Sequence, residues 1–326
     1  MRIVAIEVFE FRRGLDGTHF NPATRWDERR APIVRVTTAD GLRGLGEGWC
    51  EQARIEAFHA HGAQVLADLP GEDARDIDGI LAGLRAFAGA EAWCGAAVAA
   101  ALELALRDLA AQRAEMPLWR MAGQRARVPV YASGGLYADG KTASDLAAEM
   151  AGYAARGFLV VKMKVGALAL DADMDRVAAV RAAVGKDVEI IVDAAGRLGL
   201  DATAWAKALA GAGVRRIQAP LPDSEIDAMA ALQRDTGVAV MAGEMALDPA
   251  ALAGRIAVVQ LNPGLVGFGA ALAVPGPVSP MCRATSLLQA AALHLGALER
   301  VEQVEVHMFH DHLERNPIIL AHILLR

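Results

Sequence analysis

The sequence predicts an α/β barrel preceded by a smaller α+β domain. From residue 128 onward, apolar strand patterns alternate with helical patterns, and several helices end at a glycine, such as Gly157, Gly185 and Gly237. Before residue 120, strand patterns come first and helical patterns follow, which is typical of an α+β unit. The 326 residues also exceed the size at which a single core stops growing, roughly 250 to 300 residues. The number of strand and helix units in series favours closure of the parallel sheet into a barrel.

Composition and charge exclude several classes of protein. The net charge is -6 and no basic run is present, which argues against nucleic acid as a partner. No uncharged apolar span reaches the ~18 residues of a membrane helix, and the first residues lack the apolar core of a signal peptide. The 3 cysteines are odd in number and widely spaced, which suits reduced thiols. We therefore expect a cytoplasmic protein without a membrane partner.

The α+β part contains strand patterns at residues 2–12, 32–38 and 45–50, and helical patterns at residues 52–69, 73–87 and 91–113. Asp40 and Gly41 form a hairpin signal between two of the strands. Residues 14–30 show no periodicity. A loop of this length is often a lid or a binding loop, and the alternative is a surface excursion without fixed structure.

The barrel part contains eight strand patterns, at residues 128–133, 158–164, 188–193, 214–219, 238–242, 256–261, 278–282 and 301–307. Helical patterns lie at residues 142–155, 171–184 and 224–235, with another that begins near residue 201. Asp248 and Pro249 open a short helix after the fifth strand. Residues 264–279 contain three glycines before Ala270 and two prolines. The helices after the fifth and sixth strands are therefore predicted to be shortened.

Two lysines end the second barrel strand. Lys162 and Lys164 are two residues apart, so on a strand they point to the same side. Mutual repulsion and partial desolvation both lower the pKa of a lysine, which then accepts a proton near neutral pH. The alternative is a strand whose last residues have reached solvent, where lysines are common.

The next three strands lead to oxygen-bearing side chains, Asp193, Gln218 and Glu244. The carboxyl ends of barrel strands meet at one rim, so we expect these groups to converge. Such oxygens suit a hard cation like Mg²⁺. Each residue alone has an ordinary alternative as a helix cap or a rim charge, but the set beside two lysines favours a functional site.

Together, these motifs resemble the mandelate racemase and muconate lactonizing enzyme branch of the enolase superfamily. The resemblance lies in the order of KMK (162–164), VDA (192–194), QAP (218–220) and AGE (242–244). It extends to GLGEGW (44–49), which is similar to a hairpin arm of the family's capping domain, and to YASGG (131–135), which is similar to its first barrel strand.

The resemblance implies a modified TIM barrel, (β/α)7β, over residues 123–307 and a capping domain over residues 1–122. We expect the tail, residues 308–326, to pack back on the capping domain. It implies Mg²⁺ on the ends of the third, fourth and fifth strands, bound by Asp193, Gln218 and Glu244. It also implies that Lys164 removes a proton next to a carboxylate and that Lys162 lowers the pKa of this base. Glu305 matches an acidic residue that contacts the substrate.

The sequence departs from the family pattern at four positions. Gln218 replaces a glutamate and brings no charge, so we expect weaker Mg²⁺ binding, and Ala195 stands where the family often has asparagine. Asn262 and Met281 stand where members that act on both faces of the substrate have aspartate and histidine. Asparagine does not polarise an imidazole as a carboxylate does, and methionine is neither acid nor base. The pattern argues against racemisation with two bases.

Two functional hypotheses follow. The first is an acid-sugar dehydratase, in which Lys164 abstracts the α-proton with the help of Mg²⁺ and no histidine is needed. The second is a catalytically reduced relative that acts as a binding or structural subunit. The ligand in the first case is a small carboxylate, and its predicted contacts are Glu305, Asn262, Tyr137 and His19. A homo-oligomer is expected because barrels of this kind often assemble.

Three histidines near the end of the chain allow a further reading. His307, His310 and His312 lie in the segment HMFHDH, which is interpreted either as a metal cluster or as a polar turn that leads into the tail. Histidine spacing without a carboxylate to fix the rings is a weak signal, so the polar turn is favoured.

Overall fold

A computed structural model describes residues 1–15, 17–85, 92–123, 125–283 and 285–308 of the chain. In this part, a three-stranded antiparallel sheet with helices precedes an eight-stranded parallel sheet. The predicted tail beyond residue 308, with His310 and His312, lies outside the described residues. Within these ranges, no helix is both long and apolar enough to cross a membrane.

The N-terminal sheet consists of β1 (Ile3–Gly14), β3 (Glu28–Thr38) and β4 (Arg43–Glu47), in the order β1-β3-β4. The helices that follow are α1 (Ile55–Val65), α2 (Ile77–Arg85), α3 (Ala92–Arg113) and α4 (Leu118–Ala122). A 3-10 helix, Gln52–Arg54, precedes α1. The predicted boundary between residues 122 and 123 follows α4 directly and stays a prediction.

The alanine-rich helix α3 packs tightly on β4. Its small side chains allow the backbones to approach, and a Cβ atom at Gly44 or Gly46 would overlap the backbone of Ala105 or Ala101. Only glycine fits at these two positions of the strand. The alanine run that gives the chain its high hydrophobic content therefore serves close packing of a helix on a sheet.

The barrel is built from eight parallel strands: β5 (Val130–Ser133), β7 (Val160–Lys164), β8 (Glu189–Asp193), β9 (Arg216–Gln218), β10 (Ala239–Ala242), β11 (Val258–Leu261), β12 (Val278–Pro280) and β13 (Val304–His307). Strands that follow each other in the chain are neighbours in the sheet, and β13 pairs with β5. A parallel bridge between Val278 and Val301 brings the two ends of the sheet together. The predicted α/β barrel is confirmed.

The barrel helices are α5 (Ala143–Ala155), α6 (Leu170–Val184), α7 (Ala202–Gly211), α8 (Ile226–Thr236), α9 (Pro263–Val266), α10 (Phe268–Ala273) and α11 (Ser286–Leu295). Two 3-10 helices, Gly199–Asp201 and Asp223–Glu225, precede α7 and α8. The connection from β10 to β11 contains a 3-10 helix, Pro249–Leu252. The connection from β11 to β12 contains α9 and α10.

The loop after β1 lies against the barrel mouth. Its strand β2 (His19–Phe20) pairs with β6 (Tyr137–Ala138), which follows the first barrel strand. Arg25 forms an ion pair with Asp139 at 2.9 Å. The loop therefore has a fixed position on the barrel, as a binding loop requires, and the two short strands were not predicted from the sequence.

Candidate active site

The carboxyl ends of β7 to β10 bring the predicted catalytic and metal-binding side chains together. Lys164 of β7 pairs with Asp193 of β8, and Asp193 pairs with Gln218 of β9. Glu244 follows β10 after one intervening glycine. Lys162 is 1% exposed and Lys164 is 7% exposed. The lysines therefore lie in a buried cluster, and the alternative of a strand end in solvent does not apply.

Lys164 has the environment of a base. Its Nζ contacts Oδ2 of Asp193. Burial lowers the pKa of Lys164, the charge of Asp193 opposes this shift, and the nearby positive charge of Lys162 supports it. The direction agrees with the sequence-based expectation for this residue.

Lys162 has a different environment. Its Nζ donates to Oε1 of Gln218 at 2.6 Å and to Oε1 of Glu305 at 2.8 Å, and it lies 3.2 Å from Oδ2 of Asp193. Burial favours the neutral amine, but Glu305, Tyr131 and Asp193 outweigh it and raise the pKa of Lys162 above its ordinary value. The expectation that both lysines have a lowered pKa is wrong for Lys162, because the fold places carboxylates against its ammonium group.

The three predicted metal ligands converge, but nitrogen donors engage their oxygens. Asp193 accepts from the backbone N of Ala195 at 3.0 Å and from Lys164. Gln218 accepts from Lys162 and donates through Nε2 to Oε2 of Glu244 at 2.7 Å. The other oxygen of Glu244, Oε1, accepts from Nη2 of Arg283.

This arrangement does not fit a resident Mg²⁺ ion. A hard cation needs several carboxylate or carbonyl oxygens directed at one point, whereas here an N–H group engages each side-chain oxygen of Asp193, Gln218 and Glu244. The amide nitrogen of Gln218 faces Glu244 where a glutamate would present oxygen. Among the described residues, no group of three histidine, cysteine, aspartate or glutamate side chains is arranged to hold a metal ion.

Glu305 lies within β13 and is buried inside the barrel. Its Oε2 accepts from the hydroxyl of Tyr131 at 3.1 Å, and its backbone oxygen accepts from Nε2 of Gln289 at 2.7 Å. Glu305 is 2% exposed, and both of its carboxylate oxygens have partners. In this structure its carboxylate fixes Lys162, and contact with a substrate stays a prediction.

Asn262 and Met281 have structural surroundings. Asn262 caps α9, accepting from the backbone N of Gly264 at 3.2 Å and donating to the backbone O of Glu244 at 3.3 Å. Met281 is 1% exposed, and its backbone N donates to the O of Leu261 at 2.9 Å. Neither side chain supplies an acid or a base, as the sequence indicated.

Tyr137 and His19 make contacts outside the lysine cluster. The hydroxyl of Tyr137 donates to the carboxylate of Asp173 on α6, at 2.7 and 2.8 Å from its two oxygens, and the Tyr137 ring stacks on Phe20. Nδ1 of His19 lies 2.9 Å from the hydroxyl of Thr18. These contacts hold the loop and the β7–α6 connection, so substrate binding by either residue stays a prediction.

Two arginines at the mouth were missed in the sequence. Arg283 follows β12 and reaches Glu244, and Arg29 at the start of β3 donates to the backbone O of Arg283 at 3.0 Å. Burial lowers the pKa of Arg29 to about 10, and the like charge of Arg283 acts in the same direction. The sequence offered an indication of Arg283, since it is a single charge directly after an apolar strand end. Arg29 is one of several charges in the predicted loop, residues 14–30, and nothing in the sequence distinguished it from them.

The fold and the site define an α/β-barrel protein with an N-terminal sheet over its mouth and a buried cluster of amines and carboxylates inside it. The chain belongs to the mandelate racemase and muconate lactonizing enzyme family of the enolase superfamily. The family model for the mandelate racemase / muconate lactonizing enzyme N-terminal domain matches residues 8–123, and the model for the enolase C-terminal domain-like fold matches residues 145–322.

Individual relatives agree with this assignment. The D-galactarolactone cycloisomerase of Agrobacterium fabrum is 28% identical over 286 residues, which cover 82% of this chain and 72% of the relative. The L-talarate/galactarate dehydratase of Salmonella typhimurium is 29% identical over 167 residues, which cover 50% of this chain and 41% of the relative. These names place the chain among the lyases and isomerases of the superfamily.

Solved structures show the same architecture. A mandelate racemase/muconate lactonizing enzyme-like protein from Rubrobacter xylanophilus has a TM-score of 0.83 and 28% identity, with 97% of this chain and 90% of that chain covered. A racemase from Streptomyces coelicolor A3(2), solved with bound magnesium, has a TM-score of 0.82 and 25% identity, with 93% and 89% covered. The magnesium belongs to that neighbour.

Proposed function

We propose that the protein removes the proton next to the carboxylate of a small hydroxy acid, and that the reaction is the dehydration of an acid sugar. The observation that carries the proposal is Lys164, a buried amine at the barrel mouth with a lowered pKa, beside Lys162, which stays charged. A neutral amine acts as a base, and a fixed positive charge nearby stabilises the negative charge that develops on the substrate.

The proposed reaction needs one base. Lys164 accepts the α-proton and becomes an ammonium group, while the electron pair of the C–H bond forms the double bond of the enediolate. The enediolate then expels the β-hydroxyl group, which takes up a proton and leaves as water. The ammonium group of Lys164 carries such a proton on the same face of the substrate. The enol product becomes a 2-keto acid when its β-carbon takes up a proton from water and its enol hydroxyl group releases one.

The surroundings of Lys164 support one-base chemistry. Met281 and Asn262 supply no second base. Neither of them can therefore deliver a proton to the opposite face of the substrate, which inversion of the α-carbon would require. The relative named as a dehydratase supports dehydration among the reactions of the family. Magnesium, which the resemblance implies, has no step in this proposal, because the oxygens of Asp193, Gln218 and Glu244 are engaged by N–H groups.

Hydrogen exchange tests the proposal. The protein is incubated in D2O with a panel of acid sugars; NMR follows deuterium entry at the α-carbon, and semicarbazide detects 2-keto acids. We expect exchange and keto acid with at least one acid sugar. Lys164→Met, which keeps the side-chain volume but has no amine, is expected to lower the rate by at least about a hundredfold.

The control variant is Arg255→Met. Arg255 is exposed, pairs with Asp227 and precedes β11, so it lies at the opposite end of the strands from the site. Absence of exchange and of keto acid across the panel, with and without Mg²⁺, contradicts the proposal. That outcome favours the second hypothesis, a binding or structural subunit. The departures from the family pattern at Gln218, Asn262 and Met281 support the same hypothesis.

A further inference from the structure

We propose that Arg283, supported by Arg29, takes the place of a divalent cation at the barrel mouth, so that the site binds a small carboxylate ligand without a metal. The inference rests on the proposed function only for the identity of the ligand. It assigns a binding role to two arginines that neither the sequence motifs nor the family resemblance marked.

The first observation is the position of the Arg283 guanidinium. Its Nη2 contacts Oε1 of Glu244, the carboxylate at the end of the fifth barrel strand. The guanidinium also lies over the ring of Trp49, 5.5 Å from the ring centre. Arg29 donates to the backbone O of Arg283 at 3.0 Å and so holds the segment that carries it. Three residues, Glu244, Trp49 and Arg29, therefore hold Arg283 in place, and its guanidinium contacts a predicted metal ligand, Glu244.

The second observation is the charge of the cluster. Three basic side chains, Lys162, Lys164 and Arg283, face three carboxylates, those of Asp193, Glu244 and Glu305. Gln218 adds no charge and bridges Lys162 and Glu244 through its two amide atoms. With Lys164 protonated the cluster is neutral, and with Lys164 as the neutral base it carries one net negative charge. In either state a divalent ion would leave at least one uncompensated positive charge in a site of low dielectric.

The third observation is that Arg29 has donors without a partner. Its Nε and Nη2 atoms are buried and have no hydrogen-bond partner, and no carboxylate in the described ranges pairs with this side chain. Its guanidinium stacks on Trp26 at 4.8 Å from the ring centre. A buried cation without an anion is costly. An anionic ligand that enters beside Arg283 brings the missing charge and accepts these donors, as guanidinium groups favour carboxylates.

Calorimetric titration of the full chain tests the inference, with tartrate and Mg²⁺ as separate titrants. After EDTA treatment and dialysis, wild-type protein is expected to bind tartrate and to show no saturable binding of millimolar Mg²⁺. Arg283→Met and Arg29→Met are each expected to lose about ten- to a hundredfold in tartrate affinity. Arg255→Met removes an exposed arginine and is expected to bind tartrate like the wild type. Circular dichroism confirms that each variant is folded.

A gain-of-binding variant keeps the test decisive. Arg283→Met combined with Gln218→Glu removes the guanidinium and restores a third carboxylate, so it is expected to bind Mg²⁺ where the wild type does not. Saturable Mg²⁺ binding by the wild type, or tartrate binding that needs Mg²⁺ or is absent, overturns the inference. Failure of α-proton exchange in D2O overturns the proposed function alone, since these titrations require no turnover.

Discussion

At the residue scale, Gln218 decides whether the carboxylates at the barrel mouth face protein cations or a metal. Its Nε2 lies 2.7 Å from Oε2 of Glu244 and is the donor between them. In Gln218→Glu, two carboxylate oxygens meet at this distance and repel each other. Lys162 compensates this repulsion only in part, because its charge is already shared by Glu305 and Asp193. We expect the free energy of unfolding to fall by about 1 to 3 kcal/mol in EDTA and to recover in part when Mg²⁺ is added.

Chemical denaturation with and without Mg²⁺ measures this effect. Gln218→Met is the control, because it also removes the donor to Glu244 and adds no charge, although it loses the acceptor for Lys162 as well. Its stability is expected to fall in EDTA and to remain low with Mg²⁺. An equal response of both variants to Mg²⁺ would mean that position 218 does not face a cation site.

Residues of the site differed in how far the sequence revealed them. Lys162, Lys164 and Asp193 were predicted because each ends a recognisable buried strand, and a strand end has a known place in a barrel. The pairing of Arg283 with Glu244 was not predictable, since it joins residues 39 apart in the chain that follow two strands, β12 and β10, with β11 between them. The pKa of Lys162 was misjudged for the same reason, because Glu305 reaches it only in the folded chain.

At the element scale, a buried carboxylate joins β4 to the start of α11. Glu47 accepts from the backbone N of Thr285 at 3.0 Å, from the Thr285 hydroxyl and from the backbone N of Leu288 at 3.2 Å. Burial raises the pKa of Glu47 to about 7, although these hydrogen bonds act in the opposite direction. Because the pKa is higher in the folded than in the unfolded chain, folding favours the protonated form.

The contribution of Glu47 to stability is therefore fully present below its unfolded pKa and is lost as the pH rises through about 7. We expect the free energy of unfolding to fall by up to about 3 kcal/mol between pH 5 and pH 8. Denaturant titrations at several pH values measure this. Glu47→Gln, which does not titrate, is expected to flatten this part of the profile; an unchanged profile would assign it to another group.

The connection from β7 to α6 provides a second test at this scale. Tyr137 donates to Asp173, and its hydroxyl accepts from the backbone N of Ala167 at 3.2 Å, while Arg176 lies over its ring and donates to the O of Lys164 at 3.0 Å. Tyr137→Phe leaves Asp173 without one donor, so we expect a loss of about 1 to 3 kcal/mol in stability. The predicted role of Tyr137 as a ligand contact is tested in the same variant by calorimetric titration with tartrate. A large loss of affinity at unchanged stability would make Tyr137 a ligand contact.

Long periodic elements were predictable and short ones were not. The strands and helices of the barrel repeat a pattern that periodicity detects. The strands β2 and β6 have two residues each and exist because the loop after β1 lies on the barrel, which no local pattern records. The five-residue helix α4 was missed for lack of length.

At the scale of the whole molecule, the barrel was predictable because each unit has a similar length and neighbouring strands follow chain order. Its closure through Val278 and Val301 follows from the number of strands. The contact between the N-terminal helices and the barrel was not predictable, since it depends on single buried side chains. One of these is Glu103 of α3.

Glu103 joins α3 to the connection between β11 and β12. It is 3% exposed, and its Oε1 accepts from Nε of Arg107 and from the backbone N of Gly269, both at 2.6 Å. Glu103→Ala leaves a guanidinium and a backbone donor at the interface without their acceptor. We expect a loss of about 2 to 3 kcal/mol, seen in calorimetry as one transition at lower temperature. Because Glu47 and Arg29 also cross this interface, we expect the N-terminal part and the barrel to unfold together.

The exposed Glu299 provides the control, and Glu299→Ala is expected to keep the wild-type transition temperature. The shape of the Glu103→Ala transition is the decisive observation. If the N-terminal sheet and the barrel were independent, loss of the Glu103 contacts would separate two transitions or leave one of them unmoved. A single shifted transition instead means that the stability of the whole chain holds Arg29 and the loop after β1 in place at the barrel mouth. A binding site assembled from both parts requires this.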